Sequence, residues 1–444
     1  MKKLLFAFLL LSGTLSGQTK NFLFTLKYQD FGRIDFYMTF VINTKDSSFV
    51  AYSNPESIYN LIPFQKQILL KLMGKGEKRG AVIHIINGKI SRDHFEGKAV
   101  SSIGNFDFSA ENLHSDNLIG TFKNNQVQLN FTASPVKTMA KVSDYEELFQ
   151  ILHQEVTDKI YDPSILKRKD WRKFLKNMHS TLDKSIDDLD VLVAYFYNVP
   201  VLKTSHVYLS KADPMKDISN PENPNFEFKR INETASIITF HGFSLGDVKS
   251  VDSCLAAIKT PNLIVDLRDC PGGDFASLLF ASHFIKKETY VGYFLGNKFY
   301  KQARALPAKD ELTKLTPFVK GTLDDFFEII DRDGILVGKV VPSSLQPDCK
   351  MYMLVNKNTA SAAEPLAYFV KSNGIGTLIG ETTSGKMLSA KSFNIYKDWY
   401  FTLPLANYYT IDNKELEQTG VAPDIETKSE DAMKKVMEII QNSR

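Results

Sequence analysis

A strand–turn–helix–strand pattern over residues 350–386 constrains the fold of this chain more than any other feature. The apolar run 351–355 is short enough for a buried strand, and the polar turn 356–359 follows it. A helical pattern then begins at Ala360 and ends near Asn373-Gly374. A second apolar run, 377–379, leads into the loop 380–386. This unit predicts two buried strands connected by a helix.

The segment before this unit alternates strand and helix in the same way. Residues 237–240 and 262–267 are typical of short buried strands, and residues 247–258 and 275–285 of helices. A mixed insertion occupies 290–345. The alternation predicts an α/β core with a mainly parallel sheet, whose chemistry would lie at the carboxyl ends of the strands. Gly272-Gly273 and Ser361 both fall at such ends.

The sequence divides into five segments, of which this core is one. Residues 1–17 have the pattern of a signal peptide, and residues 18–135 alternate apolar and polar positions as an N-terminal β domain does. A helical segment over 143–210 precedes the core, which we place at 211–430, and a C-terminal helix occupies 431–444. Within the core, the polar, proline-containing stretch 211–227 is typical of a loop. The loops 211–227 and 290–345 could gate a site.

The first seventeen residues indicate export. Lys2 and Lys3 precede the apolar run 4–11, which is too short to span a bilayer, and small residues precede Gln18. The alternative is a buried N-terminal strand. No later apolar run reaches about 18 residues, so we expect a periplasmic or extracellular protein with no stable membrane span.

Composition excludes several classes of function. The 444 residues include 54 basic and 51 acidic side chains and give a net charge of +3, with no basic run that would indicate a nucleic-acid partner. Cys254, Cys270 and Cys349 are too few for a disulfide framework. No Cys/His spacing is typical of a zinc site, so we expect no metal and no cofactor.

Ser361 has two interpretations. A serine at the start of a helix often caps it. A hydroxyl at a strand-to-helix turn is also exposed, and free backbone N–H groups nearby can stabilise an oxyanion, which makes Ser361 a candidate nucleophile. The candidate oxyanion donors are the backbone N–H groups of Gly272, Gly273 and Ala362.

A serine nucleophile needs a base, and the sequence offers two. His206 has a suitable ordinary pKa, with Ser205 beside it and Glu417 in a late loop as possible orienting partners. Lys386 could act as the base only if burial lowered its pKa by several units. Each of these residues also has an ordinary structural explanation, and spacing alone does not show that they meet.

Four motifs resemble one known family. They are Asp-Leu-Arg-Asp-Cys-Pro-Gly-Gly at 266–273, Thr-Ala-Ser-Ala-Ala-Glu at 359–364, Gly-Glu-Thr-Thr-Ser-Gly-Lys at 380–386 and Gly-Val-Ala-Pro-Asp at 420–424. In this order they resemble the carboxyl-terminal processing (tail-specific) proteases and the tricorn protease core, which are serine peptidases with a ClpP/crotonase-like α/β core. The resemblance covers about residues 143–428, and Cys270 replaces the family's usual Asn.

The resemblance implies two possible catalytic sets. In the processing proteases the nucleophile pairs with a lysine at the position of Lys386, but those enzymes usually carry a PDZ domain, which we do not find here. In tricorn-like members a Ser-His pair and a late Glu serve the nucleophile, and Ser205, His206 and Glu417 match that pattern. We therefore favour Ser361–His206–Glu417 with Ser205 over Ser361–Lys386.

The implied activity is hydrolysis of peptide bonds in exported peptides or unfolded proteins through an acyl-enzyme. One alternative is an inactive peptide-binding protein on the same scaffold, which the unusual Cys270 favours. A crotonase-like acyl-thioester enzyme is a third possibility, and export argues against it. The sequence leaves the oligomeric state open.

Overall fold

The computed structural model describes residues 17–28, 32–53, 68–69, 72, 82–101, 104–112, 116–212, 224–302 and 305–442. Apart from Gly17, the segment interpreted as a signal peptide lies outside these ranges, as does most of the loop expected at 211–227. The chain forms two compact units. The first comprises Met1–Gln150, Leu175–Pro200 and Ser210–Ala212, and the second comprises Ile151–Phe174, Val201–Leu209 and Asp213–Arg444.

The N-terminal β domain is a closed antiparallel barrel of eight strands. Each strand pairs with the next in sequence, and β8 returns to pair with β1. The strands are β1 Gly17–Tyr28, β2 Gly32–Asn43, β3 Ser48–Ser53, β4 Ile83–Ser91, β5 His94–Ser101, β6 Gly104–Asn112, β7 Leu118–Lys123 and β8 Gln128–Val136. The alternation read from the sequence reflects side chains that point by turns into and out of this barrel.

Aromatic rings fill the barrel. Phe22, Phe24 and Leu26 follow the period of two along β1 and are buried. Inside the barrel, Phe24 contacts Phe131 of the neighbouring strand β8 with ring centroids 4.8 Å apart, and Phe40 stacks on Phe49 at 5.3 Å. Such rings bury large apolar areas, so a packed core stabilises the barrel.

Three helices follow the barrel: α1 Tyr145–Lys159, α2 Lys169–Leu182 and α3 Asp188–Asn198. Asp187 caps α3 by accepting from the N–H of Asp190 at 3.0 Å, and its other oxygen accepts from the N–H of Tyr37 at 2.9 Å. Asp188 accepts from the N–H of Asp35 at 3.0 Å. Burial raises the pKa of Asp187 well above its ordinary value, and the neighbouring Asp190 adds to the rise. Buried carboxylates thus fix α3 to β2.

The second unit contains a six-stranded sheet in the order β10-β11-β12-β15-β16-β19. Its strands are β10 Phe226–Arg230, β11 Ala235–Phe240, β12 Asn262–Asp266, β15 Lys350–Val355, β16 Gly376–Gly380 and β19 Ile425–Glu426. Every neighbouring pair is parallel except β10 and β11. The predicted, mainly parallel sheet is therefore confirmed.

An antiparallel sheet runs in the order β14-β13-β18-β17. Its strands are β13 Thr289–Gly296, β14 Ile335–Val340, β17 Ser389–Tyr396 and β18 Trp399–Thr410, and the short strand β9 occupies Tyr208–Ser210. Two of these strands lie in the segment 290–345, which the sequence showed only as a mixed insertion. Of these two, β13 pairs with β18, which lies more than a hundred residues later in the chain, so local pattern gave no signal for that pairing.

The helices after β10 are α4 Val248–Ala256, α5 Ala276–Ser282, α6 Asn297–Gln302, α7 Lys309–Leu312, α8 Leu323–Asp333, α9 Ala363–Ser372 and α10 Ala432–Asn442. Short 3₁₀ turns occupy Pro163–Lys167, Val199–Val201, Leu245–Asp247 and Ser429–Asp431. Helix α9 begins three residues later than the pattern at Ala360 predicted, because Ser361 has a left-handed backbone with φ of 52°.

No helix within the described ranges combines the length and the apolar character needed to cross a lipid bilayer.

Candidate active site

Ser361 occupies a strained turn between β15 and α9. Its φ of 52° is in the left-handed region, which costs a non-glycine residue about 1–2 kcal/mol. The N–H of Ser361 donates to the carbonyl of Lys386 at 3.0 Å and approaches Glu364 Oε2 at 3.2 Å. The residue that caps α9 is Ala362, which has no side-chain cap. Ser361 is half-buried, and its Oγ forms no hydrogen bond with any described residue, so the hydroxyl is not used as a helix cap.

Glu364 holds this turn in place from the first turn of α9. Its carboxylate is fully buried. Oε1 accepts from Thr383 Oγ1 and from the N–H of Gly385, both at 2.7 Å, and Oε2 accepts from the N–H of Lys386 at 2.9 Å. Burial raises the pKa of Glu364, while these donors oppose the rise because they favour the ionised form. A buried carboxylate thus ties the serine turn to the loop that follows β16.

A glycine turn after β12 lies directly against the serine. Gly272 has a φ of 99°, and a Cβ at this position would lie 2.6 Å from the Cβ of Ser361 and 2.8 Å from the N of Ala362. At Gly273, with a φ of 139°, a Cβ would lie 2.1 Å from the carbonyl oxygen of Phe243. Both positions therefore require glycine.

Hydrogen bonds between strand ends fix the register of the two turns. Thr359 Oγ1 donates to the carbonyl of Leu267 at 2.7 Å, and the N–H of Ala360 donates to the carbonyl of Cys270 at 3.0 Å. Asn356 bridges across as well, because its Oδ1 accepts from the N–H of Asp269 at 3.0 Å. The carboxyl ends of β12 and β15 are parallel neighbours, so these bonds bring the glycine turn and Ser361 together.

Two backbone N–H groups at this junction have no acceptor among the described residues: those of Gly273 and Ala362. The N–H of Gly272 instead faces the thiol of Cys270. Cys270 is fully buried, and burial raises the pKa of its thiol to about 11, so the sulfur stays protonated at neutral pH. Of the three donors expected from the sequence, Gly273 and Ala362 are thus available to a ligand.

A carboxylate–hydroxyl–imidazole chain is formed by Glu417, Ser205 and His206. Glu417 is buried, and its two oxygens accept from the N–H of Ser205 at 3.0 Å and from Ser205 Oγ at 2.9 Å. The same Oγ lies 2.8 Å from Nδ1 of His206. Ser205 and Glu417, which the sequence analysis grouped together, are 212 residues apart in the chain and are in direct contact in the structure.

The direction of these bonds fixes the tautomer of the imidazole. Ser205 has one hydroxyl proton, and a buried carboxylate can only accept, so that proton points to Glu417. Ser205 Oγ must then accept from His206, which places the imidazole proton on Nδ1. The lone pair is left on Nε2, where a general base needs it. The protein surrounds much of the His206 ring. This partial burial, together with the positive charge of Lys386, lowers the pKa of His206 to about 4.

Residues Lys386 and Met387 connect the serine turn to the hydrogen-bonded series Glu417–Ser205–His206. The carbonyl of Lys386 accepts from Ser361, and the N–H of Met387 donates to Glu417 Oε2 at 2.8 Å. The Lys386 side chain is exposed. Ser361 and His206 are both described, and no hydrogen bond joins Ser361 Oγ to the imidazole. Such contacts are often long before substrate binds.

A cleft opens beside the serine, with about 550 Å³ of empty space including its part open to solvent. Ser361, Ala362 and Gly273 are at its edge, and apolar side chains form most of its wall: Leu278, Val291, Phe294, Phe326 and Tyr408. His206 does not line this cleft. The space suits an apolar side chain of a ligand whose polar group reaches Ser361.

Strand β17 begins at this cleft. One of its edges is unpaired, since β18 is its sole partner among the described strands. Pro404 on β18 directs its carbonyl to the N–H of Tyr161, away from β17. Its cross-strand neighbour Ala390 must then direct its own N–H and C=O to the free edge. An extended chain could pair there, and Ser389 at the start of β17 also lines the cleft.

The sequence did not identify two features of the site. Glu364 was part of a recognised motif, but its role as a buried acceptor depends on the loop 383–386 and is not visible in a linear pattern. Thr383 connects two loops in the same way, since its Oγ1 donates to Glu364 and accepts from the N–H of Val421 at 2.7 Å. No group of three or more His, Cys, Asp or Glu side chains in the described ranges could hold a metal ion.

Comparison with known proteins finds a family-model match over part of the chain. Residues 235–427 match the model of peptidase family S41. A carboxyl-terminal-processing protease from Picosynechococcus sp. is 32% identical over 95 residues, which are 21% of this chain and 23% of that protein. The chain spans between 22% and 30% of the length of the curated relatives it matches.

Solved structures with low sequence identity also match. The tricorn protease is 12% identical, with a TM-score of 0.43, and the match covers 89% of this chain and 45% of that one. The photosystem II D1 C-terminal processing protease is 13% identical, with a TM-score of 0.41, over 68% of this chain and 97% of that one. The match of residues 235–427 to the model of peptidase family S41 confirms the resemblance carried by the four sequence motifs.

Proposed function

We propose that this chain is a serine endopeptidase with a ClpP/crotonase-like catalytic core and with Ser361 as its nucleophile. One observation carries the proposal: the hydroxyl of Ser361 is unused, in a strained turn next to two free backbone N–H groups. A serine held in this manner can attack a carbonyl while the N–H groups of Gly273 and Ala362 receive the oxyanion.

His206 is the proposed base. Nε2 carries the lone pair, Ser205 accepts the Nδ1 proton, and Glu417 holds Ser205. In acylation, Ser361 Oγ bonds to the peptide carbonyl carbon and its proton moves to Nε2, and the imidazolium then protonates the leaving amine. In deacylation, water attacks the ester, gives its proton to Nε2, and the serine hydroxyl is regenerated.

Lys386 remains the second candidate for the base. A lysine acts as a general base only where burial lowers its pKa strongly, and the Lys386 side chain is exposed. The neutral tautomer of His206 and its buried partners favour His206.

The proposed substrate is an extended peptide or an unfolded protein. The apolar cleft would accept an apolar side chain next to the scissile bond, and the free edge of β17 would pair with the substrate backbone. The lysine-led apolar segment at the N-terminus supports a location in the periplasm or outside the cell, where exported proteins would be the substrates.

The test compares the chain from Gln18 with its Ser361→Ala variant on an unfolded protein substrate and with a serine-reactive fluorophosphonate. Cleavage and labelling that both disappear in the variant would support the proposal. His206→Ala and Lys386→Ala then distinguish the two bases, because only the variant of the true base loses burst-phase acylation.

Failure of the wild-type chain to cleave or to be labelled would contradict the proposal. That outcome would instead favour the peptide-binding protein that the sequence left open. Binding of an unfolded peptide without turnover, measured by fluorescence anisotropy, would then be the expected behaviour.

A further inference from the structure

Gly338 is a buried glycine in strand β14 whose side-chain position is empty. Leu336, Gly338 and Val340 alternate along the strand and face the same side, where Leu336 and Val340 are buried in the apolar core. Apart from its chain neighbours, the described atom nearest to a Cβ at Gly338 would be the carbonyl oxygen of Gly292, 3.8 Å away. The φ of Gly338 is not positive. Neither space nor backbone conformation therefore requires glycine at this position.

Gly292, the cross-strand partner of Gly338 on β13, is a different case. A Cβ at Gly292 would lie 2.3 Å from the carbonyl oxygen of Tyr409 and 2.7 Å from the ring of Tyr408. That ring is fixed, because the Tyr408 hydroxyl donates to the carbonyl of Val291 at 3.0 Å. A tyrosine ring therefore occupies the space beside one glycine of the pair, and the space beside the other is free.

The free space belongs to the cleft beside the candidate nucleophile. Gly338 lines the same cleft as Ser361 and Gly273. A glycine inside a strand weakens the strand and often marks a place where a ligand approaches, and unfilled apolar space in a core costs stability. The room at Gly338 is thus explained if a side chain of the substrate fills it.

We propose that Gly338 is a specificity-determining residue: it leaves the cleft deep enough for a large apolar side chain, such as that of phenylalanine, on the residue whose carbonyl Ser361 attacks. The inference rests on the proposed function and adds to it a preference for one class of cleavage site. A larger residue at position 338 would fill the space and restrict the cleft to small side chains.

The lining of the cleft favours an apolar side chain over a charged one. Among the described residues of the lining, Asp274 is the only charged one. Its carboxylate already accepts from the N–H of Leu245 at 2.7 Å and from the N–H of Ala276 at 2.9 Å, so it is a poor partner for a basic side chain. Phe294 and Phe326 meet edge to face with ring centroids 4.9 Å apart, and a third aromatic ring packs well beside such a pair.

The experiment measures kcat/KM of the full chain on two peptides that differ only in having phenylalanine or alanine before the scissile bond, with the cleavage position checked by mass spectrometry. We expect the wild-type chain to prefer the phenylalanine peptide by at least about tenfold. Gly338→Val should lower this preference about 10- to 100-fold, and Gly338→Ala by a smaller factor. Lys339→Val is the matched control, because it adds the same side chain at the next position of β14, on the opposite face, and should leave the preference unchanged.

A second measurement does not depend on turnover. In the Ser361→Ala background, fluorescence anisotropy gives the affinity for the same two peptides, and Gly338→Val should weaken binding of the phenylalanine peptide about tenfold relative to the alanine peptide. Selective binding by a chain that cleaves neither peptide would contradict the proposed function and leave this inference standing.

A wild-type chain that prefers the alanine peptide would overturn the inference, as would a preference that is the same in wild type, Gly338→Ala and Gly338→Val. Unfolding in urea shows whether the valine variant folds. If it does not, Gly338→Ala decides, because its Cβ would have no described atom within 3.8 Å apart from its chain neighbours.

Discussion

Glu364→Gln tests whether the buried carboxylate organises the serine turn. The substitution keeps the size of the side chain and replaces one acceptor oxygen by an NH₂ donor. Glu364 accepts from Thr383 Oγ1 and from the N–H groups of Gly385, Lys386 and Ser361. Whichever oxygen is replaced, at least one buried backbone N–H loses its acceptor.

The magnitude follows from these bonds. A buried donor without an acceptor costs about 1–3 kcal/mol, and the bonds that persist become weaker because they are no longer charge-assisted. Removing the charge offsets part of this cost, because burial disfavours the ionised carboxylate and raises the pKa of Glu364. We expect a net loss of about 2–4 kcal/mol in the free energy of unfolding of the second unit. We also expect a fall in kcat of about tenfold or more, because the serine is displaced relative to the oxyanion donors.

The assay is urea unfolding followed by tryptophan fluorescence, together with steady-state hydrolysis. Trp399 is buried in the second unit and reports its unfolding. Glu426→Gln makes the same chemical change at an exposed position on β19 and should leave stability and kcat unchanged. If Glu364→Gln were as stable and as active as Glu426→Gln, the structural role assigned to this carboxylate would be refuted.

Three further predictions concern other parts of the molecule. Gly272→Ala should abolish activity and fluorophosphonate labelling, because its Cβ would lie 2.6 Å from the Cβ of Ser361 at a φ of 99°; normal labelling would show that the turn can move aside. Ser205→Ala should lower kcat about 10- to 100-fold at unchanged KM, since Nδ1 of His206 loses its acceptor, and a change in KM alone would contradict this reasoning. The raised pKa of Asp187 means that the folded state binds its proton more tightly than the unfolded state. Its contribution to stability is therefore present at low pH and lost as the pH rises through the raised pKa, and Asp187→Asn should flatten that slope in unfolding measured from pH 4 to 8.

Sequence reasoning succeeded where signal and structure are local. The parallel strands β12, β15 and β16 were predicted because each is a short apolar run followed by a turn. Ser361, Gly272 and Gly273 were singled out because nucleophiles and close backbone contacts are expected at the carboxyl ends of such strands. All three of these residues have positive φ values in the structure.

Sequence reasoning failed where the partner is distant. The sheet formed by β13, β14, β17 and β18 depends on the pairing of β13 with β18 across more than a hundred residues, which no periodicity reveals. The predicted helix began at Ala360 because alanine and serine are compatible with a helix. The close approach of Gly272 to Ser361 and Ala362, which the sequence does not reveal, accompanies the later start of the helix. The role of Glu364 as an acceptor was missed for the same reason, since three of its four donors lie 19–22 residues later in the chain.

The wide separation of Ser205 and Glu417 has a consequence for biosynthesis. The two residues are 212 positions apart, and the imidazole of His206 has its orienting partners only when both have been made. At about 5–20 residues per second, a ribosome needs roughly 10–40 s to extend the chain from one to the other. During that interval His206 has been made but Glu417 has not. For most of it Ser361 has not been made either. Vectorial synthesis therefore delays assembly of the Glu417–Ser205–His206 contacts until late in translation.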